Sequence, residues 1–228
     1  MEELFAKIRI TVNEKIYLKD PESSDIGKEI ISKSIEMIDE LGFEDFTFRK
    51  LGQKIGSPES TVYRYFENKH NLLVYLVSWY WSWLEYRLVF AISNINSKEE
   101  RLKRAIKSIT EPVVIDNNFQ HINEAKLHNL VINEASKSYH TKLVDEENKE
   151  GYYHVYKKLV NRVSNMVLDI NPNYKFPNSL ISTVIEGAQC QKYFKDHLPS
   201  LTNFANENYQ MSDFFTDLVF NAINVNHE

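Results

Sequence analysis

The sequence is poor in the residues that staple and punctuate a chain. Its 228 residues hold one cysteine, Cys190, with 6 Gly and 6 Pro. One thiol cannot close an internal disulfide and excludes a zinc site built from cysteine alone. The reducing cytoplasm is therefore the expected compartment. Few glycines leave no GxGxxG or GxxxxGK[ST] string to cradle a phosphate, and they argue against a many-turned β fold. Long apolar runs are also missing: Leu72 to Leu84 is 13 residues long and includes Ser78 and Ser82. A bilayer span takes about 20, so no membrane partner is expected. The N-terminus scatters charge where a secretion signal would be apolar. No Ser/His/Asp order, paired-carboxylate motif or nucleophile elbow occurs, so the chain does not read as an enzyme and implies no cofactor.

What is present is a mildly acidic chain, 43% hydrophobic, with 27 Lys+Arg against 32 Asp+Glu and a formal charge of -5. Its length suits one large domain, or a small one joined to a larger one, and buries a core without metal or disulfide. Taken alone, the acidic total leans away from nucleic acid. Residues 1–24 are ambiguous: Ile8, Ile10 and Val12 alternate like a strand, while Leu4, Phe5 and Ile8 suit a helical face.

From residue 25 the helical period dominates. Ile26, Ile30, Ile31, Ile35, Ile38 and Leu41 form one stripe, with Ser24 or Asp25 as cap and Gly42 as terminator. A short helix, Arg49–Ile55, follows with Thr47 as N-cap. Gly56 breaks it, and Ser57 caps a third helix, Pro58–Phe66, with Pro58 at its first position. The pattern then predicts helices over 69–92, Lys98–Thr110, Phe119–Ser136, Glu146–Asp169, Pro177–His197 and Met211–Val225. The expected fold is all-α.

The second and third helices describe a helix-turn-helix. Val62 and Phe66 anchor the third helix, while Glu59, Ser60, Thr61, Tyr63, Arg64 and Tyr65 supply an outward face for base edges in a major groove. From Thr47 to Lys69, five basic residues stand against Glu59 and Glu67, a local net of +3. A basic patch inside an acidic chain is the better nucleic-acid footprint.

The stretch from Ile30 to Leu73 resembles the N-terminal DNA-binding domain of TetR-family transcriptional regulators. It carries Leu41-Gly42-Phe43, the run Thr47–Gly56, the run Ser57–Phe66, and Asn68-Lys69 with Leu72. Gly52 stands where that family most often has Ala. The resemblance implies a homeodomain-like three-helix head over 25–70, after an extension at 1–24. A C-terminal helical bundle over 71–228 would bind an effector and dimerise. It further implies that Thr47 and Arg49 meet phosphate or base. Glu59, Ser60, Thr61 and Tyr63 would face the groove, Tyr63 and Tyr65 would reach the backbone, and Lys69 would grip a phosphate of a double-stranded DNA operator.

A ligand-responsive repressor acting as a homodimer is the resulting expectation. The alternative is a helical small-molecule-binding or stress-response protein without specific DNA binding. The last two helices are the expected dimer interface, through Ile181, Val184, Ile185, Ala188 and Cys190, then Phe214, Phe215, Leu218, Val219, Phe220 and Ile223. Trp79, Trp83, Tyr86 and Phe90 share a helical face and are candidate contacts for an apolar or aromatic effector. His121 and His128 join them as candidate ligand contacts. With Glu124 they also sit at i, i+3, i+7, but that spread lacks a second ligand cluster, so no metal is expected.

Overall fold

A computed structural model describes residues 10–111, 113, 119–206 and 208–224. Among them ten α-helices and no strand are found. They are α1 (Asp25–Asp45), α2 (Phe48–Lys54), α3 (Glu59–Tyr63), α4 (Lys69–Ile92), α5 (Lys98–Thr110), α6 (Glu124–Glu134), α7 (Val144–Lys149), α8 (His154–Ile170), α9 (Pro177–His197) and α10 (Met211–Asn224). No helix among the described residues is long and apolar enough to cross a membrane.

Local chemistry explains most boundaries. The Ser24 side chain accepts from the Gly27 amide to open α1, and Ser97 accepts from Glu100 to open α5. Gly42 takes φ +77, so α1 turns there before a last non-continuous turn to Asp45. Four expectations need correction. Ser57 is not a cap: Pro58 occupies the N-cap of α3 with no side-chain bond, and α3 ends at Tyr63, short of Phe66. The expected helix over 119–136 starts only at Glu124, capped by Asn123. The expected helix over 146–169 is two helices, because Gly151 adopts φ +83, a left-handed value that a side chain disfavours. Residues 10–24 carry two 3-10 turns, Glu14–Ile16 and Pro21–Ser23, with no strand; Leu4, Phe5, Ile8 and Val225 lie outside the described residues.

The chain divides into two compact units, 1–82 with 113–155 and 83–112 with 156–228. In the first, α1 packs along α6. Glu134 accepts from the Phe43 amide at 3.0 Å, Lys126 reaches Asp39 and Glu40, and Lys137 bridges Glu44 and Glu134. In the second, α5 packs on α9 and α10. Buried Glu85 pairs with Arg162 at 2.8 Å and Lys158 at 3.0 Å.

The last two helices spend much of their apolar surface inside this unit. Ile181, Val184, Ile185, Ala188, Phe215, Val219 and Ile223 are all buried. A Cβ on Gly187 would lie 3.3 Å from the Phe215 ring, so its bareness seats that ring. These residues are therefore intramolecular core, not the intermolecular face expected of them. Phe214 and Leu218, with Cys190, are left on the surface.

Candidate nucleic-acid interface

Helices α2 and α3 meet at a tight corner. Thr47 opens α2 by accepting from the Lys50 amide at 3.2 Å, and Phe48 and Leu51 turn inward. Gly56, at φ +63, ends the helix. The Ser57 amide donates to the Gly52 carbonyl at 2.9 Å, fastening the corner to the middle of α2. A Cβ on Gly52 would lie 2.7 Å from the Ser57 carbonyl oxygen and 3.1 Å from the Glu59 nitrogen. That close approach explains the glycine, whose helix propensity is poor.

Fully buried Val62 and Phe66 hold α3 against the core. On the other side Ser60, Tyr63 and Arg64 are exposed, with Glu59 and Thr61 half-buried in the first turn and a half. Tyr63 is 47% exposed, and its ring leans edge-on against Phe48 at 5.0 Å. Packing therefore orients a ring on a residue that is still half exposed. Arg49 and Lys54 are exposed on α2, as is Lys50, whose ammonium rests 2.7 Å from the Asp45 carbonyl. Thr47, Arg49, Ser60, Tyr63 and Arg64 thus form an accessible donor-rich surface.

Two residues expected at the DNA sit elsewhere. Tyr65 is only 2% exposed. Its hydroxyl pairs with that of Ser24 at 2.8 Å, so it packs inward two residues past the end of α3. Lys69 points its ammonium at the carbonyls of Phe43, Glu44 and Phe46 at 3.0, 3.1 and 3.4 Å, and over the Phe43 ring. It closes the carbonyl-rich corner between α1 and α2, a cation where unpaired C=O groups gather.

The candidate effector residues fall in both units. Trp79, in the first unit, is buried edge-on against Phe119 at 5.2 Å. Trp83, Tyr86 and Phe90 belong to the second. There Trp83 is buried beneath the Arg87 guanidinium at 4.8 Å, while Tyr86 contacts Phe90, which lies at the surface. His121 pairs with Glu22 at 2.9 Å, and buried His128 shares a hydrogen bond with the Tyr80 hydroxyl at 2.7 Å. His121, Glu124 and His128 form no metal cluster, and no group of three metal-ligating side chains occurs among the described residues.

Sequence reasoning missed the polar residues that brace the head. Glu134, His70 and Glu147 belong to this set: His70 pairs with buried Glu147 at 2.6 Å, which also accepts from the Tyr153 hydroxyl. Only Gly151 gave a local hint of how that region turns.

Residues 30–76 match the family model described as "Bacterial regulatory proteins, tetR family". No curated protein matches. Among solved structures, the superantigen PfiT is similar at TM-score 0.60 and 11% identity, over 89% of this chain and 97% of that one. A putative TetR-family transcriptional regulator from Rhodococcus sp. follows at 0.58 and 10%, over 86% and 95%. The fatty acid degradation regulator FadR from Bacillus halodurans gives 0.55 and 16%, over 86% and 97%. At these identities the structures share the fold. Residues 30–76 are thus the part of the chain that carries the tetR-family match, and the helical fold around them is shared with a structure described as TetR-family.

Proposed function

We propose that the protein is a sequence-specific DNA-binding transcriptional repressor whose hold on an operator is relieved by a small molecule. Its DNA-reading head is residues 25–70, and its effector-binding and dimerisation part is residues 71–228. The observation that carries the reading is the two-sided build of α3. Val62 and Phe66 are fully buried behind it, while Ser60, Tyr63 and Arg64 stand exposed in front, flanked by Arg49 and Lys54 of α2. Short polar and aromatic donors reach base edges there, and the cations reach phosphate.

A single helix-turn-helix makes few contacts, so the protein acts as a homodimer on a two-fold site. Phe214 and Leu218 of α10, and Tyr193 of α9, are large apolar groups at the surface; pairing with a second copy removes them from water. The aromatic content of α4 favours an apolar or aromatic effector. The cytoplasm is the compartment in which such a protein meets DNA.

The test is enrichment of a random duplex pool by the full chain, followed by salt titration of the enriched and a scrambled duplex. The reading expects a two-fold-symmetric consensus and at least about 1,000-fold preference for it. Equal, weak affinity for both duplexes would overturn it in favour of a small-molecule-binding protein.

A further inference from the structure

The segment ahead of α1 takes no part in the reading above, yet it is bonded along its length to elements on both sides. The Thr11 carbonyl accepts from the Ser82 hydroxyl at 3.2 Å. Asn13 donates to the Glu150 carbonyl at 2.8 Å, Lys15 pairs with the Glu150 carboxylate, and the Lys15 carbonyl accepts from the Tyr152 hydroxyl at 2.8 Å. Fully buried Ile16 accepts from Asn71 of α4 at 3.3 Å, and Tyr17 meets the Tyr75 ring at 5.9 Å. Pro21 then lies directly on α1: a Cβ at Gly27 would be 2.2 Å from its carbonyl oxygen.

Between those anchor points, three groups of the segment converge on Tyr65, two residues past the end of α3. The Leu18 amide donates to the Tyr65 carbonyl at 2.8 Å. The Lys19 ammonium stands 5.0 Å from the Tyr65 ring centre, and the Ser24 hydroxyl pairs with the Tyr65 hydroxyl at 2.8 Å. Helix α3 has five residues. A helix that short has almost no ladder of its own, so its direction is set by what holds its two ends. The α2 corner holds the start, and this segment holds the finish.

We propose that residues 11–24 are a strap that fixes the angle at which α3 enters the DNA groove and ties that angle to the turn Glu150–Tyr152. The inference rests on the DNA-binding reading and assigns residues outside the helix-turn-helix to base discrimination. The strap contacts no base itself; Leu18, Lys19 and Ser24 are positioning residues. When the strap is loosened, α3 samples several angles, and affinity falls by the fraction of molecules in the competent one. Phosphate contacts tolerate that spread, whereas base-edge contacts do not. The loss therefore falls on specific binding alone.

The experiment compares Leu18→Pro with Leu18→Ala in the full chain. Leu18 is 66% exposed, so each variant gives up little packing, and only proline removes the amide that bonds Tyr65. Tyr17, at φ -130 and ψ 156, already has the extended conformation a following proline demands. The probes are the duplex that the wild type enriches from a random pool and a scrambled duplex of equal length, with circular dichroism giving the folded fraction. Leu18→Pro is expected to bind the enriched duplex about 3- to 10-fold more weakly, the factor one net hydrogen bond supplies. Its affinity for the scrambled duplex is unchanged, and Leu18→Ala matches the wild type on both. Parallel loss on both duplexes, equal loss in Leu18→Ala, or an unchanged specificity ratio in Leu18→Pro overturns the proposal. If Leu18→Pro does not fold, Tyr65→Phe decides in its place, with a specificity loss of about 2- to 3-fold expected and an unchanged ratio refuting. A wild type that enriches no duplex refutes the DNA-binding reading instead, a result distinct from any of these.

Discussion

Gly52→Ala separates helix propensity from packing, because the two predict opposite signs. On propensity alone, alanine inside α2 stabilises by about 1 kcal/mol. The structure predicts the reverse. The new Cβ would stand 2.7 Å from the Ser57 carbonyl oxygen, 3.1 Å from the Glu59 nitrogen and 3.3 Å from the Glu59 Cα. All three are backbone atoms, so no side chain can rotate away. Restoring ordinary contact requires moving the Ser57–Glu59 backbone by roughly 0.7 Å, and overpacking of this kind costs about 1–3 kcal/mol. Subtracting the propensity gain leaves a net loss near 1 kcal/mol, or a Tm lowered by roughly 2–4 °C for a chain of this size. Since α3 begins at Glu59, the same shift exceeds the roughly 0.5 Å to which a binding constellation must be held. Affinity for the enriched duplex should fall about 10-fold or more, the value of one good base contact. Calorimetry and a fluorescence-anisotropy titration read the two effects. A Tm that rises, with DNA affinity unchanged, would refute the steric argument.

Lys69→Ala removes the cation that the Phe43, Glu44 and Phe46 carbonyls share. It should lower stability by about 1–2 kcal/mol in chemical unfolding, a partly solvated version of the 1.5–3 kcal/mol of a charged hydrogen bond. A loss of DNA affinity at unchanged stability would restore Lys69 to the phosphate backbone. Tyr153 is held protonated well above the ordinary phenol pKa of 10.0, first by burial, then by its hydrogen bond to Glu147 and that carboxylate's charge. Because the folded pKa is the raised one, its contribution is complete below pH 10.0 and is lost as pH rises above it. Unfolding midpoints between pH 9 and 12 should fall less steeply in Tyr153→Phe than in the wild type, and parallel slopes would exclude the residue. Phe214, 49% exposed, is predicted to be covered only in the dimer. Phe214→Asp should leave the helical signal intact and convert the protein to monomer in sedimentation at micromolar concentration, an expectation that a persistent dimer defeats.

What was legible in the sequence was local. Thr47 and Ser24 announce their helix starts because a hydroxyl two or three residues before an amide needs nothing else. Gly42 and Gly56 announce stops because left-handed backbone selects glycine. The exposed front of α3 followed from spacing against Val62 and Phe66. The misreadings have one physical origin, a distant partner. Tyr65 looked outward by its neighbours, yet Ser24, 41 positions earlier, draws its hydroxyl inward. Lys69 looked like a phosphate grip, yet carbonyls 23 to 26 positions earlier occupy it. The aromatic stripe from Trp79 to Phe90 has the period of a single face, but tertiary packing divides it between two compact units. Periodicity states which residues face the same way and does not state what they meet.

The same distinction bears on how an acidic chain would present the proposed DNA-reading surface. Composition gives -5 for the whole, and the Thr47–Lys69 stretch gives +3. Geometry trims the latter, since Lys69 is spent on three carbonyls and the Lys50 ammonium rests on the Asp45 carbonyl. Arg49, Lys50, Lys54 and Arg64 remain exposed. Those cations supply the salt-dependent, sequence-blind share of the affinity, and discrimination must come from short side chains meeting base edges at the right angle. A head that depends on angle more than on charge is the kind for which a close Gly52 corner at one end of α3, and a strap on Tyr65 at the other, have the most effect.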